Sequence, residues 1–116
     1  MKRLRTLSTR PGREAEGLLL LEGTHLLQEV LSQGTAPEEI IATDVWLQRH
    51  PELAARCSQA QWRMVTDDVL RAALTTVTPD GVACLTPLDS LPTVPPELDF
   101  LLVLDRIQDP GNLGTL

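Results

Sequence analysis

The chain has 116 residues, is 42% hydrophobic and 22% charged, and carries a formal net charge of −6. That is enough for one small core and too little for two independent ones. Aromatic residues make up only 3%, Trp46, Trp62 and Phe100, which argues against a surface that binds bases chiefly by stacking them on exposed rings, and no apolar stretch approaches the ~18 residues of a membrane span.

At the N-terminus, residues 1–13 hold Lys2, Arg3, Arg5, Arg10 and Arg13 and no acid, whereas the remainder sets five bases against sixteen acids. A basic arm on an acidic body holds phosphates locally; a frayed, solvated terminus fits the same residues. Pro11, Gly12 and Arg13 interrupt the apolar run that a secretory signal needs. The expected setting is cytoplasmic, or the interior of an organelle if "MKRLRTLSTR" opens a transit peptide.

"GLLLLEG" (17–23) is a short apolar run closed by glycine and predicts a buried strand. "THLLQEVLSQG" predicts a helix with Leu26, Leu27, Val30 and Leu31 on one face, Thr24 as N-cap and Gly34 as stop. "EEIIA" (38–42) predicts a second strand. "TDVWLQRHPELAARC" predicts a helix in two pieces, capped by Thr43 or Asp44, with Pro51 opening the second piece. "AQWRMV" (60–65) predicts a strand, and "TDDVLRAAL" (66–74) a helix capped by Thr66 with Asp67 and Asp68 at its positive end. "TPDGVACL" (78–85) predicts a turn feeding a fourth strand. The alternation implies a three-layer α/β sandwich with a small, mostly parallel sheet.

Four prolines, Pro87, Pro92, Pro95 and Pro96, then fall within residues 85–98 and read as a semi-rigid linker. Beyond it "FLLVLD" (100–105) predicts a strand leading into "DPGNLGTL". There Pro110 fixes φ, Gly111 and Gly114 allow close backbone approach, and Asn112 offers both a donor and an acceptor. The turn is neither a dinucleotide fingerprint nor a P-loop. An ordinary strand-to-helix turn and a ligand-binding one both fit it.

Cys57 and Cys84 form no metal-ligand pattern and read as reduced thiols, although two cysteines also permit a disulfide. His25 and His50 have no ligand spacing. Trp46 and Trp62 read as core, and Arg71 as an i,i+4 partner of Asp67.

"LVLDRIQDPGNLGTL" resembles motif 1 of the SpoU/TrmH family of RNA ribose 2′-O-methyltransferases, in which a strand leads into D-P-x-N-x-G; Asp109, Pro110, Asn112 and Gly114 match. "GREAEGLLLLEGTHLLQEVL" resembles the start of that family's substrate-binding domain, with Arg13, Glu22 and Gly23 on its pattern, and "TPDGVACL" resembles the turn and strand that close it, with Asp80 where glutamine is common. The resemblance implies an N-terminal portion of such an enzyme. Its parts are a basic arm (1–13), an RNA-binding domain akin to ribosomal and kink-turn-binding proteins (14–85), a linker (86–98) and the start of a knotted, dimer-forming methyltransferase domain (99–116).

It further implies S-adenosylmethionine as methyl donor, rRNA or tRNA as partner, and RNA contacts from Lys2, Arg3, Arg5, Arg10, Arg13, Glu22, Gly23 and Arg106. Glu22 equally suits a structural role holding backbone N–H groups at the turn, and Arg13 an ion pair with Glu14 or Glu16. Asn112 is the one catalytic-motif side chain carried over; the motif's arginine and the two later motifs of the cofactor pocket are not among these residues. An amide cannot take a proton at neutral pH, and Asp105 and Asp109 would be weak bases, so residues 1–116 alone are expected to bind no cofactor tightly and to catalyse nothing. A self-standing RNA-binding module is the alternative, and a nucleotide-binding α/β domain opening at Phe100 a third reading.

Overall fold

Strand Leu18–Glu22 (β1), Glu39–Ala42 (β2), Gln61–Met64 (β3) and Val82–Pro87 (β4) form one sheet in the order β1-β4-β2-β3. The computed structural model describes residues 2–91, 93, 97, 99–106 and 109–115, with the side chains of Lys2, Pro110 and Asn112 outside that description. All four strands fall where the apolar runs of residues 17–85 predict them.

Their directions do not. β2 and β3 are parallel, but β4 lies between β1 and β2 and runs antiparallel to both, so the sheet is mixed rather than mostly parallel. The cause is the segment after helix α6 (Asp67–Ala73). Residues 74–81 do not return to the starting end of the sheet; Glu22 holds Thr75 and Thr76, and the Gly81 carbonyl accepts from the Thr43 N–H at 2.9 Å. The chain therefore re-enters the sheet from the end at which β1 and β2 finish. Apolar periodicity is blind to strand direction.

Adjacent strand residues point to opposite faces, and the core divides accordingly. Ile40, Ala42, Val82 and Cys84 pack with Leu27 of α3 (Thr24–Ser32), Trp46 of α4 (Asp44–Arg49) and Leu53 of α5 (Pro51–Arg56). Ile41, Leu85 and Leu18 pack on the other side with Leu70 and Ala73 of α6 and with Leu4 and Leu7. Helices thus cover both faces, as the three-layer expectation requires.

Leu4 and Leu7 belong to α1 (Lys2–Leu7), which is followed by α2 (Arg10–Glu16). The basic N-terminal segment is therefore a helical pair docked on the sheet, neither a separate arm nor a frayed end. The two helices meet at Gly12, where a Cβ would lie 2.0 Å from the Thr6 carbonyl oxygen. Thr9 caps α2, its hydroxyl accepting from the Gly12 N–H at 3.2 Å. Thr43 and Thr66 cap α4 and α6 in the same way, and Pro51 opens α5, all as predicted.

Two boundaries shift. β4 runs on through Pro87 into a 3-10 turn, Leu88–Ser90, with Thr86 fully buried, two residues past the strand end that the sequence predicts. Residues 100–105 pair with no described strand and lie open, from 43% exposed at Leu104 to 81% at Phe100. Without a neighbour to satisfy its N–H and C=O groups, an apolar run does not become a strand. A short helix, α7 (Pro110–Gly114), follows.

Candidate functional site

Glu22 ends β1, and its carboxylate is a hub for the loop opposite. One oxygen accepts from the Thr75 N–H at 3.1 Å and the Thr75 hydroxyl at 2.9 Å; the other accepts from the Thr76 N–H at 2.9 Å and from the Thr76 hydroxyl. Burial acts to raise the Glu22 pKa, but the hydrogen bonds from Thr76 and Thr75 outweigh it, so the group sits below its ordinary value of 4.5. Of the two roles open to Glu22, the structure displays the one in which it holds backbone N–H groups at the turn.

Gly23 follows with φ 106°, a region that favours glycine, and its N–H donates to the Val82 carbonyl at 2.9 Å. It is Gly23 that stands at the N-cap of α3; Thr24 is already helical. The Thr24 N–H is received by Asp80 Oδ2 at 2.9 Å, and its hydroxyl accepts from Trp46 Nε1 at 2.8 Å. These residues line a cavity of about 240 Å³ that includes Glu22, Thr24, His25, Thr76 and Asp80. Two carboxylates make it inhospitable to a phosphate. It is suited to hydroxyl and amino donors such as a ribose 2′-OH or a base edge.

The described basic side chains of the N-terminal helices are occupied by the chain itself. Arg3 pairs with Glu16 at 3.0 Å and reaches the buried Glu39 at 3.4 Å, while Arg63 holds the other Glu39 oxygen at 2.7 Å. Arg10 pairs with Glu14 at 2.7 Å. Arg5 donates to the Ala72 carbonyl at 3.3 Å, and Arg13 to the carbonyls of Leu7 and Ser8 at 3.2 Å each, so Arg13 does not make the ion pair that its acidic neighbours suggest. The Lys2 side chain is outside the described residues. Arg71 lies 3.8 Å from Asp68 rather than pairing with Asp67.

Arg106 has φ 56° and lies 3.8 Å from Asp105. In the following turn the Gly111 N–H donates to Asp109 Oδ1 at 2.7 Å, which makes Asp109 the cap of α7. The Asn112 side chain is outside the described residues. Every described residue from 99 onward is exposed. A methyl donor needs walls that exclude water, so this stretch does not by itself fit S-adenosylmethionine.

Sequence reasoning missed Thr75 and Thr76, whose role needs the long-range fold, and a second polar cavity of about 460 Å³ lined by Gln28, Arg49, His50, Glu52 and Arg56. Arg49 and Arg56 each close a helical piece, seven residues apart, a placement that in sequence reads only as the usual basic residue at a helix end. Among the described residues no helix is long and apolar enough to cross a membrane, and none forms a cluster fit for a metal.

Comparison with known proteins bears on this arrangement. The chain is 41% identical, over its whole length, to an uncharacterized tRNA/rRNA methyltransferase of Synechocystis, of which it covers 43%. Its fold matches the crystal structure of an RNA 2′-O ribose methyltransferase with TM-score 0.64 and 26% identity, over 97% of this chain and 45% of that one. It also matches an AdoMet-bound rRNA methyltransferase from Sinorhizobium meliloti with TM-score 0.61 and 17% identity, over 74% of this chain and 32% of that one. The chain thus spans less than half the length of each. A family model described as the MRM3-like substrate binding domain matches residues 1–84, most of the sheet and both helical layers, and the chain belongs to that family.

Proposed function

We propose that this chain is the RNA-capturing part of a SpoU/TrmH-type enzyme that transfers a methyl group from S-adenosylmethionine to a ribose 2′-hydroxyl of rRNA or tRNA. The observation that carries the reading is the match of the substrate-binding family over residues 1–84. The site at the end of β1 agrees with it, since Thr24, Thr76 and Asp80 offer hydroxyls and a carboxylate to the 2′-OH groups and base edges that distinguish RNA.

In this reading the substrate-binding domain runs to the 3-10 turn at Leu88–Ser90. A proline-rich linker follows, and residues from about 99 onward open a knotted methyltransferase domain through which two copies pair. The exposed apolar segment 100–104 is the first strand of that domain, ordered once its sheet neighbours are present. Asn112 positions the ribose by hydrogen bonds, without acting as a base. Residues 1–116 supply capture, and the longer enzyme supplies chemistry.

The test has two arms. A hairpin RNA taken from rRNA binds the 116-residue chain with an affinity that falls with salt, as phosphate contacts require. The same chain followed by a SpoU/TrmH catalytic domain labels that RNA from tritiated S-adenosylmethionine at a ribose oxygen. Absence of RNA binding at low salt overturns the reading; labelling on a base overturns the 2′-O assignment.

A further inference from the structure

The chain carries sixteen acids and ten bases, so a guanidinium that finds no carboxylate is unusual here. Arg3, Arg10, Arg63, Arg71 and Arg106 each have a carboxylate partner, and Arg5 and Arg13 donate to backbone carbonyls. Arg49 and Arg56 have neither among the described residues. Both line the same cavity at the elbow between α4 and α5, about 460 Å³ in volume and predominantly polar, together with Gln28 of α3 and His50.

The His50 ring is held against Trp46, with centroids 5.0 Å apart at 33°, which fixes one wall of the cavity to the core. Glu52 also lines it and stands four residues before Arg56. That spacing permits an ion pair, yet Glu52 and Arg56 do not form one. Ending a helix with arginine suits the helix dipole, but α4 and α5 have six residues each, and the dipole does not explain why two such ends share one pocket.

We propose that this elbow pocket is an anion site, in which Arg49 and Arg56 hold a phosphate of the RNA backbone and Gln28 and His50 donate hydrogen bonds beside them. The inference rests on the RNA-capture reading above. α3 links the two places. His25 lines the carboxylate-bearing cavity at its start, and Gln28, one turn on, lines the cationic one. An RNA strand lying along this helix would place a 2′-OH or base edge at the first and a phosphate at the second. The face of capture is then the α3–α4–α5 layer, opposite the arginine-rich N-terminal helices. Neutral donors and a carboxylate specify, and the two free arginines supply the electrostatic attraction.

Two titrations of the 116-residue chain test this. With inorganic pyrophosphate, amide resonances of Gln28, Arg49, His50 and Arg56 shift, and the shifts vanish in the R49Q/R56Q variant; shifts elsewhere only, or shifts that survive in the variant, overturn the site. With a short rRNA hairpin, R49Q/R56Q weakens binding about tenfold and lowers the slope of log affinity against log salt by about 0.8, as loss of one phosphate contact requires, while E52Q tightens binding. RNA bound with affinity and slope unchanged in R49Q/R56Q overturns the inference and leaves RNA capture standing. Pyrophosphate in the pocket with no RNA bound by the unaltered chain overturns RNA as the phosphate source, and the capture reading with it. Both arginines are exposed, so the variant keeps its thermal midpoint, and a loss of binding is not a loss of fold.

Discussion

Asp80 accepts the backbone N–H of Thr24 at 2.9 Å across 56 residues of sequence. A helix that lacks a capping side chain of its own is capped by a carboxylate from the loop that closes the sheet. The same Thr24 receives the Trp46 indole N–H at 2.8 Å, so α3, α4 and the loop before β4 are tied at one residue.

Asp80→Ala therefore costs about 1 kcal/mol, the usual value of a lost N-cap, and Asp80→Asn costs a few tenths. Chemical denaturation of the two variants measures this; equal losses would mean that the carboxylate acts by charge alone. Amide exchange at Thr24 should quicken in the alanine variant.

Glu22 gives a pH dependence of definite sign. Its pKa lies below the ordinary 4.5 when folded, so the folded state binds its proton less readily than the unfolded one. The stability this provides is fully present above the unfolded value and is lost as the pH falls from there through the lowered folded value. Glu22→Gln removes that part of the acid transition and costs about 1–2 kcal/mol at neutral pH, since hydrogen bonds to a charged acceptor are the stronger kind. Urea midpoints measured from neutral pH down through the carboxylate range give both quantities; a variant that keeps the native acid slope would contradict the assignment.

Two glycines tolerate no side chain. At Gly12 a Cβ would meet the Thr6 carbonyl oxygen at 2.0 Å, and at Gly81, where φ is +100°, it would meet Trp46 Cβ at 2.9 Å. Gly81→Ala combines backbone strain with overpacking and should cost about 2–4 kcal/mol. Gly12→Ala forces α2 away from α1 and should loosen Leu4 and Leu7, visible as faster amide exchange in those helices. Thermal unfolding of both proteins checks the ranking against Gly34→Ala, where nothing lies within 4 Å and only the backbone strain remains.

Burial pushes the Cys84 thiol up to about 11, the nearby Thr86 hydroxyl acting the other way, and burial likewise raises Cys57. Neither thiol should react with iodoacetamide at neutral pH in the folded chain, and both should do so in denaturant. A raised thiol pKa favours the fold below the unfolded value of 9.0 and ceases to do so as the pH climbs from there through about 11. Stability should decline across that alkaline window and recover part of its flatness in Cys84→Ala.

Strand positions and most helix starts were legible because they depend on neighbours in sequence. The run "LLLLE", Pro51 and the threonine caps Thr43 and Thr66 are local signals, and the structure uses each as such. Sheet direction was not legible, because it is decided by Glu22, Asp80 and Gly81 acting across the fold. The arginines of α1 and α2 read as a free arm for the same reason: their partners Glu39, Ala72 and Leu7 are brought beside them only by folding. Arg49 and Arg56 escaped notice because nothing in sequence separates an arginine that will find a partner from one that will not.

The placement of β4 bears on how the protein is made. Its two neighbours, β1 and β2, come earlier in the chain and do not pair with each other. During synthesis the sheet therefore has no centre until residue 87 has left the ribosome, and β1 waits with exposed backbone edges while some sixty residues are added. Such a topology delays cooperative closure and leaves the nascent chain open to chaperones or to mispairing. The Glu22 carboxylate, reaching for Thr75 and Thr76 shortly before β4 emerges, is placed to receive the last strand.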